Sequence, residues 1–366
     1  MKGFRYTLFT VLVSVFCFVT PHSVKAQTTN NGTSSIADAQ VESIKDTGKE
    51  NTQNHQKILQ VQLKILSGDL KGKEFTIQDN VFALPYQIHY NQGSKVIVAI
   101  SDDGRGGKTV YITDYDRRPI LLLLLALFLA LILLVSKKQG ALSLLGMIIS
   151  FYIIAQIIIP QILLGTNAFV ITIIGVLIII PATYYLAHGF NKKTTIAVIG
   201  TFITLILVAA LSYVFSYFGN LTGYANEEAV FLQNMFGSTI NVFSLLLAGI
   251  IIGGVAVLND ITISQASIVN SLKKSNRNLP FRQLYSHAMD VGRDHVASLV
   301  NTLVLVYVGA AFPLVLLFYK THTDLSLILN QEIIATEIIR TLVTSIGIVA
   351  AVPITTYIAC LMNDRS

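Results

Sequence analysis

Between Lys138 and Lys192 the chain runs for 53 residues without one Asp, Glu, Lys or Arg. About 20 apolar residues cross the hydrocarbon of a bilayer, so this stretch alone is long enough for two antiparallel crossings. Pro160, Gly165 and Asn167 supply turn chemistry between segments near 141–159 and 168–187. Further apolar runs cover roughly 119–136, 195–218, 239–258, 297–318 and 341–361. Each meets the length and charge criteria for a transmembrane helix, which gives a count of seven. Only 13% of the residues are charged, about half the share of a soluble domain. These features predict an α-helical membrane bundle of about seven transmembrane helices over 117–366, solvated by the lipid bilayer.

The charges fall into zones. Residues 1–26 hold Lys2, Arg5 and Lys25 and no acid, followed by a short apolar core at 6–20 and a polar tail ending Val24-Lys25-Ala26. These are the parts of a secretory signal peptide, with cleavage before Gln27. With the segment after it outside, the inner loops carry Lys137, Lys138, Lys192, Lys193, Lys273, Lys274, Arg277, Arg282 and Arg293, and Arg365 lies at the tail. The outer side carries Arg117, Arg118, Lys320 and Arg340. Ten against four predicts a protein of the cytoplasmic membrane with its N-terminal domain outside and its C-terminus in the cytoplasm. The basic residues sit in short loops and form no stripe for nucleic acid.

Residues 27–57 are polar and poor in large apolar side chains, which predicts a disordered linker. Over 58–116 the pattern changes. Val61, Leu63 and Ile65 alternate with polar residues, as do Val96, Val98 and Ile100, and glycine-rich turns at Gly68, Gly72 and Gly104 separate the runs. Four or five short strands predict a small exported β-barrel-like domain. Gly106-Gly107-Lys108-Thr109 has the ending of a phosphate-binding loop, but Asp102 stands where the motif needs glycine and a strand pattern follows. It reads as a hairpin turn. Cys17 and Cys360 lie in separate apolar runs, with no disulfide framework and no zinc spacing.

Ionic and polar groups next to the apolar runs are the candidates for function, because a charge inside the bilayer costs roughly 2.5–3.5 kcal/mol on insertion scales. Asp260 reads either as a coupling carboxylate or as a boundary residue. Glu337 and Arg340, three apart on one helical face, read either as a gate or clamp or as a solvated ion pair. Asp294 and Asn301 complete the transport or gating set. His287, Asp290, Asp294 and His295 share one helical face and form a weak candidate divalent-cation site. Gly249 and Gly253 give the small-residue spacing of close helix packing, which points to tight internal packing, a homo-oligomer or a partner membrane protein. Pro313 and Pro353 are positioned to break the last two helices. No nucleophile–base pair or His-Glu-x-x-His helix is present, so no enzyme and no cofactor is expected.

One ordered set of residues resembles the YibE/F family of bacterial multi-pass membrane proteins. It runs through Ser67-Gly68, Lys71-Gly72-Lys73, Asp114 with Arg117-Arg118-Pro119, Pro160 with Gly165 and Asn167, and Thr222-Gly223 with Glu227-Glu228. It continues through Asp260, Gly292-Arg293-Asp294, Asn301-Thr302-Leu303, Gly309, Asn330, Glu332, Glu337 and Arg340. The resemblance covers about 58–358 and implies an exported β-rich part followed by a helical bundle; it implies no biochemical role. The expected function is a solute permease or export component. The alternative is a non-transporting scaffold or sensor whose β domain binds a partner or an envelope polymer.

Overall fold

The computed structural model describes residues 35–50, 57–79, 91–102, 107–321 and 324–364. It forms two compact units that part between Leu134 and Val135. The signal-peptide segment 1–26 lies outside the described residues.

The first unit holds a five-stranded antiparallel sheet, β1 (Ser35–Glu50), β2 (Lys57–Ile65), β3 (Glu74–Asp79), β4 (Lys95–Asp102) and β5 (Lys108–Tyr115), in the order β3-β2-β1-β4-β5. The inward alternation expected of β2 and β4 is present: Val61, Leu63, Ile65, Val96, Val98 and Ile100 are all buried. The linker expectation is corrected here, because Ser35–Glu50 is the central strand of the sheet. Ala37, Ala39 and Val41 point inward at period two, while Asp38, Gln40 and Glu42 occupy the alternate positions. Small inward residues give that strand little hydrophobic signal, and its neighbours β2 and β4 complete the core. Between Val41 and Ser43 the register shifts. One extra residue there brings Ile44 opposite Val61 and keeps the apolar set on one face. Lys108 and Thr109 begin β5 rather than a helix, so the glycine-lysine sequence before it has no phosphate-loop context.

Ion pairs tie this sheet to the start of the first helix, α1 (Arg118–Ile153). Arg118 reaches both Asp38 on β1 and Asp116, the latter at 2.6 Å, and Arg117 pairs with Asp114 at 2.7 Å. The Arg118 guanidinium holds the Asp116 carboxyl below the usual range, and Arg117 does the same for Asp114. Beyond this anchor the apolar side chains of α1 are exposed, with Leu123 at 65% and Leu134 at 73%. The backbone leaves helical geometry at Lys137, φ 48° and ψ −123°, a conformation that costs a residue with a Cβ of order 1–3 kcal/mol.

The second unit is helical. After α1 comes a π-helical turn at Ile154–Ile158, which widens the coil where the Pro160 ring would otherwise meet the carbonyl of Gln156. There follow α2 (Ile159–Leu163), α3 (Ala168–His188), α4 (Lys192–Phe218), α5 (Glu227–Phe236), α6 (Val242–Ser275), α7 (Phe281–Ala310), α8 (Phe312–Thr321), α9 (Leu325–Asn330) and α10 (Glu332–Asp364). Asn167, Asn191 and Asn241 cap α3, α4 and α6 with side-chain oxygens on free backbone N–H groups. Among the described residues five helices are long and apolar enough to cross a membrane, or six if α7 and α8, bent by 67°, make one crossing. The expected seven differ because residues 118–163 form one long helical run with a local break. A break does fall near Pro313, between α7 and α8. Pro353 does not break α10: Ala351 and Val352 before it and Thr355 and Thr356 after it are fully enclosed, and packing outweighs the missing N–H.

The bundle is built around α4, α6 and α10, which pack against one another, with α3 against α6 and α7 against α10. Glycines set the approach. A Cβ on Gly200 would lie 2.4 Å from Thr355 Oγ1, one on Gly347 2.4 Å from Val208 Cγ2, and one on Gly292 2.5 Å from Val352 Cγ1. The Gly249/Gly253 spacing plays no such part within the chain, since Gly249 faces open space and the nearest atom to a Cβ at Gly253 is the Tyr307 hydroxyl at 3.9 Å.

Gly200→Ala and Gly347→Ala are expected to lower stability by about 1–3 kcal/mol through overpacking, read as earlier thermal unfolding of the purified chain. Gly249→Ala and Gly309→Ala, where an added methyl meets nothing within 4 Å, are expected to be neutral or slightly stabilising, as alanine favours helix by roughly 1 kcal/mol. Equal losses at all four positions would remove close approach as the cause. For the sheet anchor, the lowered Asp116 and Asp114 pKa values mean that the ion pairs stabilise the fold at and above the ordinary carboxylate pKa. That contribution is lost as pH falls through the depressed folded values, below about 4. Urea unfolding of the β unit within the full chain should weaken between pH 5 and pH 3, and Asp116→Asn should flatten that dependence.

Candidate functional site

Fourteen polar side chains are buried among the described residues, every one of them neutral and in the second unit. Most lie on α4, α6 and α10. On α4 they recur as Thr194, Thr201, Thr204, Ser212 and Ser216, spacings of seven, three, eight and four that keep them near one helical stripe. The hydroxyls of Thr204 and Ser212 donate to carbonyls four residues back, which satisfies them inside an apolar interior.

The stripe meets α3 and α6 in a triangle of hydroxyls. Tyr184 Oη lies 2.6 Å from Thr201 Oγ1 and 2.9 Å from Thr262 Oγ1, and the two threonine oxygens are 2.8 Å apart. Thr201 and Thr262 are also placed to donate to the carbonyls of Ala197 and Leu258, each at 2.8 Å. Each hydroxyl has one proton, so three protons serve five close contacts. The protons can redistribute around the triangle without any heavy atom moving.

One turn further along α6, Gln265 joins three helices. Its Nε2 donates to Ala288 O on α7 at 2.8 Å and to Thr356 Oγ1 on α10 at 2.7 Å. Its Oε1 is buried without a hydrogen-bond partner among the described residues and faces Gly292, where a Cβ would stand 3.1 Å away.

At the opposite end of the bundle the Glu332 carboxylate, the first residue of α10, accepts from Thr222 N at 2.6 Å, Gly223 N at 2.7 Å and Thr222 Oγ1 at 2.8 Å. Gly223 has φ 86°, and a Cβ there would meet Val242 O at 2.7 Å, so this loop requires glycine. One turn on, Arg340 pairs with Glu337 at 2.8 Å, both about a quarter exposed. The expected pairing on one face is present, and it is half-buried rather than fully solvated. Arg340 Nε and the hydroxyls of Ser216, Thr336 and Thr344 are buried without partners among the described residues.

The other expected residues do not converge. Asp260 stands exposed on the flank of α6, within electrostatic reach of His295 on α7. Asp294 and Asn301 lie on the exposed side of α7. The divalent-cation expectation for His287, Asp290, Asp294 and His295 is corrected: among the described residues no three His, Cys, Asp or Glu side chains come together to hold a metal ion. A common face spreads them over more than two turns of α7, and Asp290 is taken up by Arg293 at 2.9 Å. Sequence reasoning passed over the Tyr184–Thr201–Thr262 triangle and the Gln265 junction. The signal that locates them is the recurrence of hydroxyls along one stripe of otherwise apolar α4.

The architecture of a β-rich unit followed by a helical bundle can be set beside known families. The model for YibE/F-like proteins matches residues 124–365, and the model for the YibE/F family N-terminal domain matches residues 34–115. The second match begins beside Ser35, where β1 begins. Comparison with curated proteins and with solved structures gives no match. The two family models between them span nearly all of the described residues, and the chain belongs to the YibE/F-like family.

Proposed function

We propose that this chain is a multi-pass protein of the cytoplasmic membrane, and that it acts as a solute permease or export component. Membrane placement is supported by exposed apolar helix faces and by charge at the helix ends. Residues 118–163 would extend about 69 Å as one straight helix, more than twice the hydrocarbon thickness, and the break at Lys137 divides them into two crossings. With α7 and α8 counted as one bent crossing, the total becomes seven. Side-chain contacts place the ends of the helices: Gln139 meets His188, Gly200 meets Thr355, and Gln265 meets Ala288 and Thr356. One end of the bundle therefore gathers Lys138, Lys192, Lys193, Lys273, Lys274, Arg277 and Arg282. That end is cytoplasmic by the positive-inside rule, which puts the β unit outside.

The observation that carries the transport reading is the row of buried neutral polar groups through the middle of an apolar bundle, from Gln265 and the hydroxyl triangle to Ser216 and Thr336, which ends at the half-buried Arg340. A bundle needing only stability has no use for buried hydroxyls and a guanidinium nitrogen without partners. A second reading, a scaffold or sensor, draws support from the Asp38–Arg118–Asp116 anchor, which fixes the sheet to the first residue of a crossing helix.

Two measurements test these readings. In intact cells an impermeant maleimide should label Asn330→Cys and spare Ser275→Cys until the membrane is opened; the reverse pattern would invert the proposed orientation. Proteoliposomes screened against ions and metabolites should show a flux that falls at least about tenfold in Thr201→Val/Thr262→Val, the scale set by losing one or two buried polar contacts, and that also falls in Asp260→Asn, which removes a charge beside the path. Absence of flux from the unmodified chain across the panel would favour the scaffold.

A further inference from the structure

Between the Lys138–Ile153 part of α1 with the start of the π-helical turn, α3 and α6 lies a cavity of about 360 Å³, within the size range of small-ligand sites. Its register is fixed by two close approaches, Gly146 against Thr183 and Gly175 against Ile158. Along α1 and into that turn it extends from Ser143 to Ile154, about 16 Å at helical rise.

The groove is polar at one end and apolar at the other. Ser143, Thr183, Tyr184 and Asn259 gather at the end nearer the basic loops, whereas Phe151, Ile154, Val176 and Ile252 line the far end together with Ser150, whose hydroxyl is taken up by Gly146 O on its own helix. The polar groups differ in what they have left to offer. Thr183 donates to its own helix at Ile179 O, and Tyr184 belongs to the hydroxyl triangle. The Ser143 hydroxyl and the half-buried Asn259 carboxamide make no hydrogen bond among the described residues, which leaves one hydroxyl and a full amide for a ligand. Among the described residues no Asp, Glu, Lys, Arg or His lines the groove. A phosphate or carboxylate head would lose its water there without gaining a counter-charge. Asp260, next to Asn259 in sequence, adds a field unfavourable to anions.

We infer that this groove is a binding site for an uncharged single-chain amphiphile whose head both donates and accepts hydrogen bonds, of the monoacylglycerol or fatty-alcohol kind. The head meets Asn259 and Ser143, and the chain runs along α1 toward Ile154 and Ile252. Phe151 and Met147, both exposed, form the lateral entrance. The site rests on the membrane placement proposed above and not on flux.

The test uses the full chain in phospholipid nanodiscs with a diazirine-bearing monoacylglycerol, cross-links being mapped by mass spectrometry. Labelling should concentrate on Met147, Phe151 and Ile252 and be competed by unlabelled monoacylglycerol but not by lysophosphatidic acid. Asn259→Leu should reduce it about three- to tenfold, the range for one lost hydrogen-bonding group. Ala256→Phe, which fills the groove from α6, should abolish it. Thermal unfolding of each variant checks that the bundle is intact, and the two act by different means, so either alone decides the matter. Equal competition by the anionic lipid, or labelling indifferent to both substitutions, would overturn the site. A diazirine phosphatidylcholine run in parallel should label exposed Ile206 and Leu121. If it does not, the membrane placement fails and the site with it; if it does while the groove shows no selective labelling, the site alone fails.

Discussion

The helical unit depends on how closely α4, α6 and α10 approach one another. Gly200 and Gly347 remove the side chains that would hold α4 and α10 apart, and Gly292 does the same between α7 and α10; Thr355, Val208 and Val352 fill the space. In the membrane placement proposed here, burying leucine against leucine gains little over leucine against lipid, so shape and hydrogen bonding carry the association. The polar groups follow from the same constraint. A hydroxyl that bonds its own helix's carbonyl costs little, and one that also reaches a neighbouring helix fixes rotation and register at once. Tyr184, Thr201 and Thr262 do this for three helices, and Gln265 does it for α6, α7 and α10.

Much of this architecture is legible in the residues, and the rest is hidden for definable reasons. The alternation of Val61, Leu63 and Ile65, and of Val96, Val98 and Ile100, locates two strands because each inward residue is large and β-branched or leucine. Strand β1 escapes because its inward face is Ala37, Ala39 and Val41 and its surroundings are polar. It is a strand by virtue of its neighbours on both sides. Apolar length finds the long helices but not their continuity: a two-lysine cluster reads as a loop, while the backbone departs from helix only locally at Lys137. Pro353 is the converse case, a residue whose local preference is overruled by enclosure.

The candidate site was legible in its charged parts and obscure in its neutral ones. Glu337 and Arg340 announce themselves by spacing, and the structure pairs them. His287, Asp290, Asp294 and His295 also share a face, yet shared face is a weaker condition than convergence, and one helix cannot wrap four ligands around an ion. The triangle and the Gln265 junction need three or four helices to assemble, so no single segment displays them. What a single segment does display is the hydroxyl stripe of α4.

The distribution of charge across the bundle bears on any path through it. Every buried polar side chain among the described residues is neutral, whereas Asp260, Glu337 and Arg340 lie on flanks or toward an end. A fixed charge at the centre would demand a partner or a large desolvation penalty, while hydroxyls bonded to their own helix can line the interior at small cost. Such an interior offers oxygen lone pairs but no fixed charge. In the permease proposed above, discrimination by charge would fall to the half-buried Glu337–Arg340 pair on one side and to Asp260 on the other. Arg340, with one guanidinium nitrogen buried and unpartnered, is the group at which a passing anion and a passing cation would be treated most differently.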